Sequence, residues 1–221
     1  MKEQKRKKVL IVSGGSLEDA FVLTLMKKNE YQMVIACDSG LEFFARNKLC
    51  PDLILGDFDS ADREVVETFR LRTDVKLEQF PAQKDWTDTE LALRRALELS
   101  PDGIDLVGAM GTRLDHVLGN LQLLALGLKA GIPIHLLDAH NRIRLIDRPL
   151  ILKKEEQYGD FVSLIPHGGA VFGLTLKGMK YPLEGATLTS DVSLGISNEI
   201  IEEKAEISFT EGALFVMETK D

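Results

Sequence analysis

Cysteine is scarce in this sequence. The 221 residues include two cysteines, Cys37 and Cys50, whose spacing forms neither a CxxC pair nor any other metal-binding pattern. This excludes a disulfide-stapled scaffold and a cysteine-ligated metal site. We interpret both side chains as small buried hydrophobes in a protein of a reducing compartment.

Long hydrophobic runs are also missing. No stretch reaches the roughly 20 apolar residues that a helix needs to cross a bilayer. The basic segment 2–8 precedes an apolar run at 9–12, but this run is too short for a signal peptide, and Gly14 and Gly15 follow it. We interpret 2–8 as a solvated tail and expect a cytoplasmic protein.

Positive charge is in deficit. The chain has 27 Lys and Arg against 35 Asp and Glu, which gives a formal net charge of −8. Nucleic-acid binding favours a basic face, so this balance argues against such a partner. An anionic small molecule remains compatible with it, provided that a divalent cation or a local Arg or Lys offsets the repulsion.

The first part of the chain alternates short apolar runs with segments of helical periodicity. The predicted strands are 9–12, 33–36, 53–55, 76–80, 104–107 and 134–137. The predicted helices are 17–28, 40–48, 62–71, 88–99 and 115–129. The last helix is the clearest, because it carries apolar residues at three- and four-residue spacing on one face: Val117, Leu118, Leu121, Leu124, Ala125 and Leu128.

Beyond about Arg148 the helical period disappears. Short alternating segments follow, separated by glycine-containing turns, at 160–165, 171–176, 186–190, 192–197, 205–209 and 213–218. We therefore predict an α/β fold: a parallel-sheet N-terminal domain with helices on both faces (1–148), followed by a small all-β sandwich domain (149–221). A unit of the second size has a limited core, so it should pack against the first domain or a second copy of the chain.

Acidic clusters follow four of the predicted strands. They are Cys37-Asp38-Ser39-Gly40, Gly56-Asp57-Phe58-Asp59-Ser60, Lys84-Asp85-Trp86-Thr87-Asp88 and Gly111-Thr112-Arg113-Leu114-Asp115-His116. In an open α/β sheet, ligands bind outside the carboxyl ends of the strands. Acids that recur at this edge predict a site, whereas acids scattered over helix surfaces would indicate only solubility.

Asp57 and Asp59 are the first candidates. If the strand continues in extended form, both side chains point to one side and Phe58 to the other. Two close carboxylates favour a cation between them, and Mg²⁺ prefers such hard oxygen ligands together with substrate phosphates. The alternative is a solvated, Asp-rich turn.

The segment from Thr87 to Glu90 has the form of a helix capping box, with Thr87 as the N-cap. Asp88 then lies in the first helical turn, where the helix dipole favours an anion, so a structural role alone would explain it. Asp85 and Lys84 lie outside the helix, so helix capping does not explain why these residues are charged. Lys84 could bind a phosphate.

The fourth cluster follows a loop with Gly108 and Gly111, which can approach a ligand closely. Arg113 has the planar donor fork that suits phosphate oxygens. Asp115 could cap the following helix, and His116 lies one turn from Asn120, although a structural role is also open for this histidine. Ser13-Gly14-Gly15-Ser16 has neither Walker nor Rossmann spacing, and an ordinary strand-to-helix turn explains it equally well.

Taken together, acids at consecutive strand ends with Lys84 and Arg113 among them are what phosphoryl-type transfer needs. In this order the clusters resemble those of thiamin pyrophosphokinases. The most specific parts are 51–60, 84–92 and 111–116 with Asn120, and in the second domain Gly173-Leu174-Thr175, 178–183 and Ser197-Asn198-Glu199. The resemblance extends over nearly the whole chain.

The resemblance implies a homodimer that transfers the diphosphate of ATP to the hydroxyl of thiamin with Mg²⁺, giving thiamin diphosphate and AMP. It implies metal and phosphate binding by Asp38, Asp57, Asp59 and Asp88. Our hypothesis for the mechanism is that Asp57 or Asp59 acts as the catalytic base. The nucleotide side would comprise Lys84, Asp85, Arg113, Asp115 and His116. Ser197 and Asn198 would bind thiamin.

Two positions depart from the family pattern. Asp38-Ser39-Gly40 stands where Asp-Gly-Gly is usual. The chain's single tryptophan is Trp86, so Phe172 or Tyr181 would take the place of the β-domain tryptophan that contacts thiamin in animal members. Two other functions use the same acids: a Mg²⁺-dependent nucleotidyltransferase or phosphohydrolase acting on another substrate, and a non-catalytic nucleotide sensor.

Overall fold

The computed structural model describes residues 7–59, 61–81 and 85–221. The chain forms two compact units, the first ending at Ala139 and the second extending from His140 to Asp221. We placed the boundary after Arg148, but residues 141–146 form a strand that pairs with the C-terminal strand of the second unit. The predicted α/β fold with a β-rich C-terminal part is confirmed.

The first unit alternates strands and helices as predicted. Its strands are β1 (Lys8–Val12), β2 (Tyr31–Cys37), β3 (Leu53–Gly56), β4 (Lys76–Gln79), β5 (Gly103–Val107) and β6 (Ile134–Leu137). Its helices are α1 (Asp19–Lys28), α2 (Leu41–Arg46), α3 (Arg63–Arg70), α4 (Asp88–Leu97) and α5 (Leu114–Ala130).

The strands of the first unit form one parallel sheet in the order β4-β3-β2-β1-β5-β6. The chain order reverses at β1, which lies between β2 and β5. Because every strand runs in the same direction, all the carboxyl ends meet at one edge, and the reversal opens a crevice there.

The central strands explain why the predicted runs were so uniformly apolar. Residues Val9 to Val12 of β1 have no exposed surface, as expected where a parallel strand is covered on both faces. Cys37 at the end of β2 is buried as predicted. The prediction is wrong for Cys50, which is exposed because it lies in the loop before β3.

Helix α5 extends one residue beyond the predicted 115–129 at each end, and its predicted apolar face is partly buried. Leu124 is buried on this face, whereas Leu118 is 60% exposed. The first turns of α5 flank the loop after β5, where the Asn120 side-chain amide donates to the Ala109 carbonyl at 2.7 Å. Within the described part of the chain, no helix is long and apolar enough to span a bilayer.

The second unit is antiparallel. Its strands are β7 (Asn141–Ile146), β8 (Leu150–Lys153), β9 (Phe161–Lys177), β10 (Leu183–Leu188), β11 (Lys204–Ser208) and β12 (Glu211–Thr219). They pair in the order β7-β12-β9-β11-β8, and β10 also pairs with β9.

Strand β9 differs most from the prediction. The segments predicted at 160–165 and 171–176 form a single strand that continues through His167-Gly168-Gly169, pairing with β12 chiefly along its first half and with β10 and β11 along its second. Residues of β9 and of these partner strands contribute to one apolar core of the second unit. The strand predicted at 192–197 is wrong: this segment lies outside the strands of the second unit.

Asp105 is a buried acid in the middle of the first sheet, with 1% of its surface exposed. Its carboxylate accepts hydrogen bonds from Lys8 Nζ at 3.0 Å and from the Tyr31 hydroxyl at 2.8 Å, and His135 Nδ1 lies 3.5 Å away. Burial raises the pKa of Asp105, but the hydrogen bond with His135, the charge of Lys8 and the Tyr31 hydroxyl together hold it below its ordinary value of 3.8.

We expect Asp105→Asn to lower the free energy of unfolding by about 3–5 kcal/mol, because it leaves the charge of Lys8 without its partner in a largely buried site. The low pKa of the folded carboxyl stabilises the protein above the pKa of the unfolded chain, and this contribution disappears as pH falls through the folded pKa. In urea denaturation, the difference in unfolding free energy between the wild type and Asp105→Asn should therefore shrink below about pH 4. Asp74→Asn, which removes an exposed partner of Arg72, is the control and should leave the midpoint nearly unchanged. Equal midpoints for both variants at neutral pH would contradict the assignment.

Candidate functional site

A cavity of about 590 Å³ lies at the carboxyl edge of the first sheet. The loops after β1, β2, β3, β4 and β5 all contribute to it, together with the start of α5. Its lining residues are Ser13 to Ser16, Asp38, Ser39, Asp57, Trp86 to Thr89, Gly108 to Arg113, His116 and Asn120. The structure thus brings residues from all four predicted clusters to one place.

The loops after β1 and β5 form the floor of this cavity by direct backbone contact. Gly15 N donates to the Gly108 carbonyl at 2.6 Å, and Ser16 N donates to the Met110 carbonyl at 2.7 Å. A Cβ atom on Gly15 would lie 2.4 Å from the Met110 oxygen, and Gly108 has a φ of +68°. Residues 13–16 match no phosphate-loop motif, so the sequence indicated a phosphate-binding loop only weakly. In the structure, the glycines allow close contact between the two loops.

Asp38 lines the cavity from an unusual backbone conformation. Its φ is +53°, in the left-handed region that Asp tolerates better than most residues do. The turn continues into Gly40, where a Cβ would lie 2.3 Å from the Val12 carbonyl oxygen. The Ser39 hydroxyl donates to the Gly14 carbonyl at 3.2 Å. Ser39, the departure from the family pattern, therefore joins the loops after β2 and β1.

The extended geometry expected for Asp57-Phe58-Asp59 is wrong. Phe58 has a φ of +64° and is buried, so the chain turns sharply between the two acids. Asp57 lines the cavity, and its Oδ1 accepts from Asp59 N at 3.0 Å. The Asp59 side chain is exposed and outside the cavity lining. The burial of Phe58 stabilises this turn, which alternation along a strand cannot predict.

Thr87 caps α4 as predicted, with its side chain accepting from Glu90 N at 3.2 Å. This cap places Asp88 in the first turn and in the cavity lining. Asp85 is exposed outside the lining, and Lys84 lies outside the described residues. A contact that the sequence did not indicate joins Ser13 Oγ to Thr89 Oγ1 at 2.7 Å in the interior and connects α4 to the β1 loop.

Arg113 lines the cavity and forms an exposed ion pair with Asp115, whose Oδ2 is 2.6 Å from Arg113 Nη2. The hydrogen bond from Arg113 lowers the pKa of Asp115 to about 2. Asp115 does not cap α5 as expected: Arg113 is the N-cap residue, and Asp115 lies in the first turn outside the cavity lining. His116 and Asn120 line the cavity from one face of α5, as their spacing predicted.

Cys37 lies close behind the acidic lining but cannot serve as a nucleophile. Burial raises the pKa of its thiol to about 12, hydrogen bonds with Ser13 and Thr89 oppose this, and the charges of Asp88 and Asp38 raise it further. The thiol therefore stays protonated at neutral pH.

The acids that line the cavity are suited to a shared Mg²⁺ ion. Within residues 7–59, 61–81 and 85–221, no three His, Cys, Asp or Glu side chains lie close enough together to hold a metal by themselves. Mg²⁺ usually binds through one or two carboxylates and substrate phosphates rather than in a closed protein cage. Asp38, Asp57 and Asp88 line one cavity, so they fit, one or two at a time, an ion that is held jointly with phosphate oxygens.

The two predicted thiamin-binding residues belong to the second unit. Ser197 is exposed and has a φ of +55°. Asn198 is buried, and its side chain accepts from the backbone N–H groups of Tyr181 and Glu199 and donates to the Tyr181 carbonyl, at 2.8–2.9 Å. Asn198 therefore holds the loop at Tyr181 in place, while the accessible polar group of the pair is Ser197.

Comparisons with known proteins identify both halves of the chain. The family model described as "Thiamin pyrophosphokinase, catalytic domain" matches residues 25–136, and that described as "Thiamin pyrophosphokinase, vitamin B1 binding domain" matches residues 150–214. Thiamine pyrophosphokinase of Bacillus subtilis is 35% identical over 97% of this chain and 100% of its own length. Thiamine pyrophosphokinase 1 of Arabidopsis thaliana is 28% identical, over 79% of this chain and 68% of its own.

Solved structures agree with the sequence comparisons. The crystal structure of the Bacillus subtilis enzyme superposes with a TM-score of 0.87 at 34% identity, covering 97% of this chain and 100% of the other. That of thiamin pyrophosphokinase from Geobacillus thermodenitrificans gives 0.83 at 33% identity, covering 97% and 98%. Yeast thiamin pyrophosphokinase gives 0.81 at 14% identity, covering 99% and 88%, which shows the shared fold alone.

We expect Gly15→Ala to lower the free energy of unfolding by about 1–3 kcal/mol, because the added methyl group would press against the backbone oxygens of Gly108 and Met110. Gly119→Ala is the matched control. Gly119 lies inside α5, and a methyl group added there would have no neighbour within 4 Å, so this change should raise stability by about 0.5–1 kcal/mol. Urea denaturation of both variants distinguishes the cases, and a Gly15→Ala protein as stable as the wild type would contradict the close contact between the loops.

Proposed function

The chain belongs to the thiamin pyrophosphokinase family, and from this we propose that it transfers the diphosphate group of ATP to the hydroxyl of thiamin, giving thiamin diphosphate and AMP with the help of Mg²⁺. One observation carries the proposal. Asp38, Asp57 and Asp88 line a single cavity with Arg113 and a glycine-rich floor, at the sheet edge where α/β proteins bind their ligands.

The proposal assigns the lining residues to the triphosphate. Asp38, Asp57 and Asp88 would hold Mg²⁺ together with phosphate oxygens, and Asp59 is the adjoining acid of the same turn. When bound, Mg²⁺ neutralises the phosphate charge that a cavity lined with acids would otherwise repel. Arg113 can turn its donor fork from Asp115 to a phosphate, because both side chains are exposed. Lys84, Asp85 and His116 complete the proposed nucleotide side.

The reaction is a direct displacement at phosphorus. The thiamin hydroxyl oxygen forms a bond to the β-phosphorus of ATP, the bond from that phosphorus to the oxygen bridging the α-phosphate breaks, and AMP leaves with the electron pair. Asp57 or Asp59 accepts the hydroxyl proton as general base. Asp57 is the better placed of the two because it lines the cavity. This displacement needs no covalent enzyme intermediate, which agrees with the protonated state of Cys37.

The proposal also includes thiamin binding by Ser197 and Asn198, a homodimer and a cytoplasmic location. The exposed position of Ser197 supports direct contact, and the internal hydrogen bonds of Asn198 support a role in holding the neighbouring backbone. Val192, Leu194 and Ile196 expose apolar side chains beside Ser197. A second copy of the chain would cover them, so sedimentation or light scattering should give twice the chain mass.

We expect AMP to form only when ATP, Mg²⁺ and thiamin are all present. Nucleotide products separated by ion-exchange chromatography give the measurement, with omission of thiamin as the control. ADP as the thiamin-dependent product would mean transfer of a single phosphate. Pyrophosphate or phosphate released without thiamin would favour a nucleotidyltransferase or phosphohydrolase, and nucleotide binding without turnover in calorimetry would favour a sensor.

We expect Asp57→Asn to lower kcat by about 10²–10⁴-fold, since an amide neither accepts the hydroxyl proton nor binds a cation as a carboxylate does. Asp59→Asn should also lose activity, but less, because its side chain lies outside the cavity lining. Asp74→Asn is the control acid from the surface, and circular dichroism should show all three variants folded. Near-normal turnover in both the Asp57 and Asp59 variants would rule out the proposed base.

A further inference from the structure

Trp86 stands between two concave surfaces of the first unit. It lines the cavity described above and also a neighbouring groove of about 630 Å³, whose lining includes Phe80, Leu91 and Arg94. The indole is 46% exposed, although a tryptophan gains most from burial. Helix capping explains Thr87 and Asp88, and a hydrophobic staple to Leu91 would explain an apolar residue at position 86, but a staple does not need an indole that stays half-exposed.

Arg94 covers one side of this ring. The guanidinium carbon of Arg94 lies 4.5 Å from the centre of the indole, in cation–π geometry. Arg94 is held in turn by Glu90, whose carboxylate accepts from Nε at 2.9 Å and from Nη2 at 2.8 Å. Glu90 itself is fixed in the capped first turn of α4.

Arg94 lines the groove and is absent from the cavity lining, whereas Trp86 lines both. Arg94 therefore lies on the groove side of the tryptophan, and a flat ligand in the cavity could stack on the indole without displacing the arginine.

We propose that Trp86 stacks on the purine base of bound ATP and that Arg94 is the positioning residue that holds the indole in place; this rests on the proposed function. Aromatic side chains stack on nucleobases whatever their hydrogen-bonding pattern, because every base has a π-face. The phosphates of the same nucleotide would then extend over the glycine-rich floor toward Asp57 and Asp88.

The position of Trp86 favours the purine over thiamin as the stacking partner. Trp86 lies within the residues matched by the catalytic-domain family model, 25–136, whereas the vitamin B1 binding model matches residues 150–214 of the second unit. The inference thus separates the two substrates, with the base of ATP at Trp86 and thiamin elsewhere.

Tryptophan fluorescence tests this directly, because Trp86 is the single tryptophan of the chain. We expect AMP, added with Mg²⁺ to the wild-type protein, to change the emission in a saturable way. Inorganic tripolyphosphate, which has phosphates but no base, should leave it unchanged, and so should thiamin. A saturable change with tripolyphosphate or thiamin, or none with AMP at concentrations where calorimetry shows AMP bound, would overturn the proposal.

Steady-state kinetics provide the second test. Trp86→Leu should raise KM for ATP about tenfold, equivalent to about 1.4 kcal/mol, while KM for thiamin and kcat change little. Trp86→Phe, which keeps an aromatic face, should restore most of the loss. Arg94→Gln should also raise KM for ATP and shift the emission of Trp86. Arg95→Gln is the matched control, because Arg95 is the adjacent arginine and pairs with Glu98 at 2.5 Å.

The outcomes separate this inference from the proposed function. Thiamin-dependent AMP formation with an unchanged KM for ATP in Trp86→Leu would overturn the stacking and leave the function standing. A saturable AMP-dependent change in fluorescence without any thiamin-dependent product would support the stacking and defeat the function. If Trp86→Leu fails to fold, the titrations of the wild-type protein decide the matter.

Discussion

The backbone contact between the loops after β1 and β5 is the constraint on which the site depends. The neighbouring parallel strands β1 and β5 end at the same edge of the sheet. The loops that follow them approach so closely that backbone amides of one donate to carbonyls of the other at 2.6–2.7 Å. Only residues without a Cβ fit at Gly15, and the contact leaves a smooth polar floor. The loops after β2 and β3 and the first turn of α4 place one lining carboxylate each around that floor, so the sheet and its helix define the position of every acid.

The sequence predicted those parts of the structure that depend on local periodicity. Buried parallel strands are recognisable as apolar runs, and a threonine three residues before a glutamate correctly identified the start of α4. The position of Asp88 in the cavity follows directly from these two signals. The acids with Lys84 and Arg113 among them indicated phosphoryl-type transfer, and the family resemblance added the proposed substrates, which no local pattern could have indicated.

Other features depend on long-range contacts and could not be predicted from local pattern. The left-handed backbone at Asp38 and Phe58 is stabilised by packing between loops, and it moves Asp59 away from the lining that strand alternation would have given it. Strand β9 continues through two glycines because its partners change along its length. Strand β7 belongs to the second unit because it pairs with β12, and Glu218 of β12, a fully buried acid, binds Arg142 and Arg144 of β7. Burial raises the pKa of Glu218, but these arginines hold it below the ordinary value.

Strand β4 stands at one end of the first sheet, where backbone groups of its outer side face away from the other strands. Such an edge can recruit a strand from another molecule and begin aggregation. Here the strand is only four residues long, Lys76-Leu77-Glu78-Gln79, and its two charged side chains pair with each other. A foreign strand that docked there would gain few hydrogen bonds and would have to desolvate charge. The sheet edge that precedes the loop of Trp86 and Asp88 is thus protected against misassembly by its own shortness and polarity.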